Sequence, residues 1–303
     1  MFDIPFIKLE FHVRMLEDTK MPKTKVSALR GGMGEMLLRQ NCIGDRQCER
    51  CYFQKTCLVW HTFYNRMEKQ PAYMTGKGSV GYLIECEEKT TFYKKEDRLI
   101  FNLILFGDSI PFFNVYLQAL TYLGYSGIGK HQSRFYIDKI INSDQHKILF
   151  QGQIDMRAYR ISNISEYIEK RKSERAVRGE KIKIKFLSPF SMKFDGEFLE
   201  EFHVEALMKG IGRRIQMLNY YIGNEYEAPV FERYPIIESQ IVKKEKVIRY
   251  SGTHDSKTVL WGIVGEINLK DVPEECRDYL IAGELIHVGK NSSFGFGKYR
   301  IIG

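Results

Sequence analysis

The chain has 303 residues, 44% of them hydrophobic and 28% charged, which is apolar material for one large domain or two ordinary ones. No apolar run approaches the roughly 20 residues that cross a bilayer, so a membrane-spanning helix is excluded at this stage. A formal charge of +8 attracts polyanions, though many basic proteins bind no nucleic acid, and an aromatic content of 13% adds rings on which bases can stack.

The N-terminus alternates and carries acids early, so residues 6–15 read as a strand and not as a signal peptide, and the cytoplasm is the expected compartment. Val26, Leu29, Met33, Met36 and Leu37 recur at helical spacing over residues 26–40, with Ser27 as N-cap. Gly31, Gly32 and Gly34 are poor helix formers there and imply close packing or backbone facing a ligand. A cysteine-rich segment follows. Residues 79–88 and 97–108 read as strands, 111–124 as a helix with Pro111 in its first turn and Gly124 just past its end, and 133–140 as a strand. The order strand, helix, strand, strand, helix, strand is the ferredoxin-like arrangement.

Residues 158–180 are charged and poor in apolar side chains, and read either as a connection or as a solvated helix. The same order then returns. A strand enters a turn at Pro189. A helix over 200–223 carries Phe202, Leu207, Ile211, Ile215 and Leu218 in a stripe, and strands at 244–252 and 257–269 follow. A helix over 273–289 and a strand over 296–302 close the chain. The expected fold is therefore α+β, with two tandem ferredoxin-like (RRM-like, βαββαβ) domains: residues 1–160, carrying a cysteine-rich insertion at 42–60, and residues 181–303.

Each half passes from its second helix to its last strand through Gly-x-Gly-Lys: Gly127, Gly129 and Lys130 in the first, Gly295, Gly297 and Lys298 in the second. Such repetition argues for a duplicated module. Turn amides could cradle a phosphate, with Lys130, Arg134, Lys290, Lys298 and Arg300 as counter-charge; the alternative is a sharp corner with no ligand. These are neither Walker A loops, which need Lys-Ser/Thr after a spaced glycine, nor a Rossmann fingerprint, because the glycines precede a strand.

Cys42, Cys48, Cys51 and Cys57 form C-x5-C-x2-C-x5-C, while Cys86 and Cys276 stand alone. Four thiolates within sixteen residues can close a tetrahedral structural site for zinc, with an iron–sulfur cluster as the alternative metal group and free cysteines as the alternative without one. Such a site would display Arg46, Arg50 and Lys55 on a rigid loop and has no need of His61.

The stretch HVGKNSSFGFG resembles the C-terminal signature of the RAMP superfamily of CRISPR-associated proteins, Gly-hydrophobic-Gly, five residues, Gly-hydrophobic-Gly. Val288 and Gly289 match the first triplet, Lys290 to Phe294 the spacer, and Gly295, Phe296 and Gly297 the second triplet; His287 departs from the first glycine. The stretches ALRGGMGEMLLRQNC and LGYSGIGKHQSRFYI are similar to the branch that processes repeat RNA. The resemblance implies tandem ferredoxin-like domains and an endoribonuclease that cuts CRISPR precursor RNA within its repeats. It also implies metal-independent chemistry, in which the 2′-hydroxyl attacks the scissile phosphate and leaves a 2′,3′-cyclic phosphate.

That chemistry needs a proton acceptor, a proton donor and cations on the phosphorane. The active histidine that many members carry in or just after the first helix has no counterpart, because no histidine lies between Arg14 and Trp60. His287, beside Gly289 and Lys290, is the leading candidate, with a helix-end residue fixing the corner as its alternative; His131 beside Lys130 comes next, then His61 and His254. His12, His146 and His203 have no supporting neighbours, and Tyr250 and Ser251 are not distinguished from ordinary strand residues. Some members cut with lysine and tyrosine alone. The alternatives to the nuclease are a non-catalytic RNA-binding subunit of a CRISPR effector complex and an iron–sulfur or redox protein. Expected partners are CRISPR repeat RNA, an effector complex and a second copy of the chain, with no membrane.

Overall fold

A computed structural model describes residues 1–64, 67, 70–71, 79–251 and 256–303. Residues 5–161 form one compact unit; residues 1–4, 162–249 and 256–303 belong to the other. Residues 162–180 therefore go with the C-terminal unit.

In the N-terminal unit the main sheet is built from β1 (Pro5–Met15), β2 (Tyr82–Glu85), β3 (Arg98–Phe106), β4 (Phe135–Asn142), β5 (Lys147–Phe150) and β6 (Gln153–Ile154), in the order β2-β3-β1-β4-β5-β6, and the short strands Thr19–Lys20 and Phe92–Tyr93 pair as a separate ribbon. The first four are the ferredoxin-like strands, with β1 antiparallel to both β3 and β4; the β5–β6 extension was not expected. Leu9, Phe11, Val13 and Met15 of β1 are fully buried, which is the period-2 pattern of a strand covered on one face.

Helices α1 (Val26–Asn41) and α2 (Phe113–Ser126) cover that face. All five apolar positions expected of α1 are buried. Its start differs: Lys25, not Ser27, holds the N-cap position. The Lys25 side chain is fully buried, donates to the carbonyls of Glu88 and Thr90 at 3.0 and 2.7 Å, and lies 5.6 Å from the Tyr93 ring centre. A tertiary anchor thus sets the helix start, where a local cap would have used Ser27. Gly32 packs against α2 so closely that a Cβ would fall 2.4 Å from a Leu123 methyl, and one at Gly34 would fall 2.4 Å from the Phe63 ring, which supports the packing reading for these two; at Gly31 a Cβ meets nothing within 4 Å. Pro111 lies in a 3₁₀ turn, Gly107–Phe112, ahead of α2, and Gly124 lies inside the helix, which runs on to Ser126.

In the C-terminal unit, β7 (Ile182–Phe190), β8 (Ile236–Ser251), β9 (Ser256–Lys270) and β10 (Tyr299–Ile301) are ordered β8-β9-β7-β10, the same 2-3-1-4 sequence as in the first unit. β8 starts eight residues before the expected 244–252, whereas β9 exceeds the expected 257–269 by one residue at each end. Helices α4 (Val204–Tyr221) and α5 (Glu274–Ile286) pack together, and the stripe Leu207, Ile211, Ile215 and Leu218 is buried, as is Phe202 just before it.

The charged stretch forms α3 (Ile164–Lys172), opened by a capping box of Asn163 and Glu166. Ile164 and Ile168 are buried, and Arg171 reaches Glu284 of α5 with two contacts of 2.8 Å. Two isoleucines and one buried ion pair bind a segment whose composition alone reads as solvated. No helix among the described residues is long and apolar enough to cross a membrane.

Candidate nucleic-acid interface

Each unit turns from its second ferredoxin-like helix into the following strand through glycines, and the two corners expose different groups. In the N-terminal unit Gly127 caps α2 at φ +87°, donating to the Leu123 carbonyl at 2.8 Å. A Cβ there would sit 2.3 Å from the Gln132 carbonyl oxygen, so only glycine fits. Ile128 and Ser133 exchange two backbone hydrogen bonds of 3.0 Å and pinch off a tip of Gly129, Lys130, His131 and Gln132, all exposed. On the last turns of α2, Tyr122 and Tyr125 are 51% and 61% exposed. Arg134, at the base, forms a bidentate pair with Glu17 at 2.9 and 2.8 Å. An imidazole, an ammonium and two rings thus stand in solvent around one corner, the combination that stacks bases and neutralises phosphates.

The C-terminal corner is closed. Val288, Lys290, Phe294, Gly295, Phe296 and Gly297 all donate their amides to carbonyls of the chain itself, among them Lys290 to Ser191 at 2.7 Å and Gly297 to Pro189 at 2.9 Å. Those amides are spent on the corner, which corrects the expectation of a phosphate cradle at Gly295 and Gly297. Gly297, at φ +74°, would place a Cβ 1.8 Å from the Val288 carbonyl oxygen, and at Gly289, at φ +86°, a Cβ would sit 2.6 Å from that of Ser191. The glycines are there to let strand and corner touch.

His287 lies inside this corner. Its side chain is fully buried, Nδ1 is 3.1 Å from the Phe296 carbonyl oxygen, and its backbone sits at φ +57°, ψ 156°, a region that suits glycine. The residue that replaces the first signature glycine therefore keeps the glycine's backbone conformation and fills the corner with its ring. Burial removes it from contact with a nucleic acid, and the helix-end reading describes it. Lys298 is also buried, and its amide donates to the Ser188 hydroxyl at 2.9 Å. Lys290 and Arg300 are exposed, with the Lys290 ammonium 5.4 Å from the Phe198 ring centre. Arg249 of β8 stacks over Phe294 of the corner at 4.1 Å, a contact with no sequence signal.

The other histidines separate by environment. His61 is exposed, its Nε2 lies 2.8 Å from the Lys55 carbonyl oxygen, and its ring stacks on Phe112 at 6.1 Å. His12 is buried and contacts Glu10 at 2.6 Å; burial pushes its pKa below the ordinary 6.5, against the pull of the Glu10 hydrogen bond. His146 is exposed. His203 is the N-cap of α4, with Nδ1 accepting from the Ala206 amide at 3.4 Å, a role its place before the helix could have suggested. His254 lies outside the described residues, as do the side chains of Tyr250 and Ser251. Tyr122 and Tyr125 were missed because they were absorbed into a helix; plotting its outward face would have found them.

Cys42, Cys48, Cys51 and Cys57 all line one small pocket with Leu38, Arg46, Gln47, Gln54, Val59 and Trp60. No disulfide joins any of the six cysteines, and burial raises the pKa of Cys48, opposed by a hydrogen bond with Tyr64 and reinforced by Cys42, Cys57 and Cys51. Among the described residues no group of three or more His, Cys, Asp or Glu side chains is gathered closely enough to hold a metal as it stands.

Two family models match. One, described as an N-terminal domain, spans residues 4–162; the other, CRISPR-associated endoribonuclease Cas6, spans residues 184–299. Over its C-terminal part the chain is similar to the CRISPR-associated Cas6 endoribonucleases. A relative from Archaeoglobus fulgidus, an uncharacterized protein, is 22% identical over 284 residues, covering 93% of this chain and 92% of its own length. Thermus thermophilus Cas6 shares the fold at a TM-score of 0.53 and 11% identity, with 99% of each chain covered. A Cas6 product complex aligns at 0.56 and 13%, covering 99% of this chain and 100% of that one. A partial Cas6-RT-Cas1–Cas2 complex aligns at 0.59 and 13%; this chain is 98% covered but accounts for 46% of that longer chain. The two 2-3-1-4 sheets, each with paired helices, are the tandem ferredoxin-like arrangement expected from the sequence.

Proposed function

We propose that the chain is an endoribonuclease that binds CRISPR repeat RNA and cuts it by attack of the ribose 2′-hydroxyl on the adjacent phosphate. The observation that carries this reading is the Cas6 endoribonuclease match over residues 184–299, which contain the glycine corner. A similar structure titled as a Cas6 product complex supports the same activity. The reaction breaks the P–O5′ bond, forms a P–O2′ bond, and leaves a 2′,3′-cyclic phosphate and a 5′-hydroxyl. It needs no metal in the chemical step.

Within the chain, His131 is the histidine best placed to pass protons, because it is exposed beside Lys130 on the Gly127–Ser133 tip. Lys130 would neutralise charge on the phosphorane, and Tyr122 and Tyr125 would stack flanking bases. Lys290 and Arg300 of the C-terminal unit would hold backbone phosphates, a binding role that carries no sequence information. Gly289, Gly295 and Gly297 shape the corner that presents Lys290.

The burial of His287 favours a second reading, an RNA-binding Cas6/RAMP-type subunit that holds RNA without cutting it. Association with other CRISPR proteins belongs to this proposal too, supported by the likeness to a Cas6-RT-Cas1–Cas2 complex. Repeat RNAs carrying a single 2′-deoxynucleotide, walked along the repeat, separate the readings. The nuclease loses cleavage at one deoxy position and keeps binding; cleavage indifferent to every deoxy position, or none with the all-ribose RNA, overturns the proposal.

A further inference from the structure

Between the end of α1 and Val59 the chain runs through a loop built only of two short 3₁₀ turns, Cys48–Arg50 and Gln54–Thr56, and neither turn contains a buried residue. Ile43 is 81% exposed, Tyr52 97% and Phe53 50%. From Cys42 to Cys57 every residue is exposed except Gln54 and the four cysteines. A loop of this length loses backbone entropy of roughly 1–2 kcal/mol per residue on ordering, and apolar burial does not offset that loss here. The inward-facing groups are the thiols.

Backbone hydrogen bonds fix where the four cysteines sit along the loop. The Cys51 amide donates to the Cys48 carbonyl at 3.4 Å and the Cys57 amide to that of Gln54 at 3.3 Å, so each turn ends on a cysteine. Gln54 Nε2 donates to the Cys48 carbonyl at 2.7 Å and ties the turns together. Cys42 closes α1 with its amide on the Leu38 carbonyl at 2.9 Å, and Cys57 accepts from the His61 amide at 3.2 Å where the chain re-enters the unit. All four line the same pocket, walled by Leu38, Val59 and Trp60, with Arg46 at its side.

We propose that Cys42, Cys48, Cys51 and Cys57 form a structural zinc site that holds the 42–57 loop on the N-terminal unit. On binding, the four thiols that line the pocket lose their S–H protons and form four Zn–S bonds. Four thiolates on Zn²⁺ carry a net charge of −2; the cation lining the pocket is Arg46, whose Nη1 also pairs with Glu35 at 3.2 and 3.3 Å. The site has no open position for water, so it takes no part in RNA cleavage, and its presence is independent of the proposed nuclease. Cys86 and Cys276 stay thiols.

The test is elemental analysis of the full chain, purified without a histidine tag and passed through a metal-free desalting column. About one zinc per chain is expected. Cys48→Ser with Cys51→Ser should lose it, and Cys86→Ser with Cys276→Ser should keep it. Replacement by Co²⁺ should give the intense absorption of a tetrahedral tetrathiolate, a readout that needs no variant to fold. Zinc well below one per chain, iron with acid-labile sulfide in its place, or zinc undiminished in Cys48→Ser with Cys51→Ser overturns the proposal.

Discussion

Glu284→Ala removes a carboxylate that accepts four hydrogen bonds from three residues. Its side chain is 4% exposed and accepts from Arg171 Nε and Nη2 at 2.8 Å each, from Tyr167 Oη at 3.2 Å and from the Ile301 amide at 2.6 Å. One residue of α5 therefore fastens α3 and β10, the strand that follows the glycine corner. Without it a guanidinium that is 12% exposed loses its main counter-charge, and the Ile301 amide loses its acceptor. Breaking one side of a buried pair costs about 3–5 kcal/mol. Arg171 keeps Glu174 and the Ile301 carbonyl, so the expected loss is near the lower end, about 3 kcal/mol. Urea unfolding followed by circular dichroism reads it as a lowered midpoint at unchanged slope. Arg171→Met with Glu284→Leu removes both charges and should recover at least half of the loss, because no buried ion is left unpaired. A single-variant loss below about 1 kcal/mol, or a pair variant less stable than Glu284→Ala, refutes the reasoning.

Gly297→Ala and Gly129→Ala separate strain from contact. Both positions have positive φ, but a Cβ at Gly297 meets the Val288 carbonyl and one at Gly129 meets nothing within 4 Å. Thermal melts should show a loss of at least about 2 kcal/mol for the first and about 1 kcal/mol for the second. His287→Gly restores the signature glycine; it should keep RNA cleavage within roughly a few-fold of wild type, whereas His131→Ala should slow it by about 10²–10⁴. Single-turnover rates with repeat RNA check both. The folded pKa of His12 lies below its unfolded 6.5, so the unfolded chain binds the proton more readily and stability falls as pH drops below 6.5 towards the folded value. His12→Gln should flatten that fall, measured as urea midpoints from pH 7.5 to 5 against wild type.

Periodicity carried the helices and the strand order. The stripe from Leu207 to Leu218 and the alternation from Leu9 to Met15 face the cores as written, because burial on one face imposes those periods directly. The repeated Gly-x-Gly-Lys corner was legible for the same reason, since the chain must turn there with positive φ. What the corners expose was not legible. Nothing local says that the His287 ring folds inward against the Phe296 carbonyl while His131 stands on a tip pinched by Ile128 and Ser133; that depends on which carbonyls the neighbouring strands bring near. The buried Lys25 overrode Ser27 at the start of α1 through carbonyls more than 60 residues away. β8 runs from Ile236 although Ile236 and Ile241 are exposed, because pairing with β9, and not burial, holds its outer part. The strands at 147–154 are short and largely exposed, below what an apolar pattern can signal.

The most direct test of the central claim is incubation of end-labelled CRISPR repeat RNA with the purified chain in magnesium-free buffer containing EDTA, with the product termini analysed by phosphatase and kinase treatment. Cutting at one position, with a 2′,3′-cyclic phosphate upstream and a 5′-hydroxyl downstream, is the predicted outcome. Tight binding with intact RNA, or products bearing a 5′-phosphate, would contradict it.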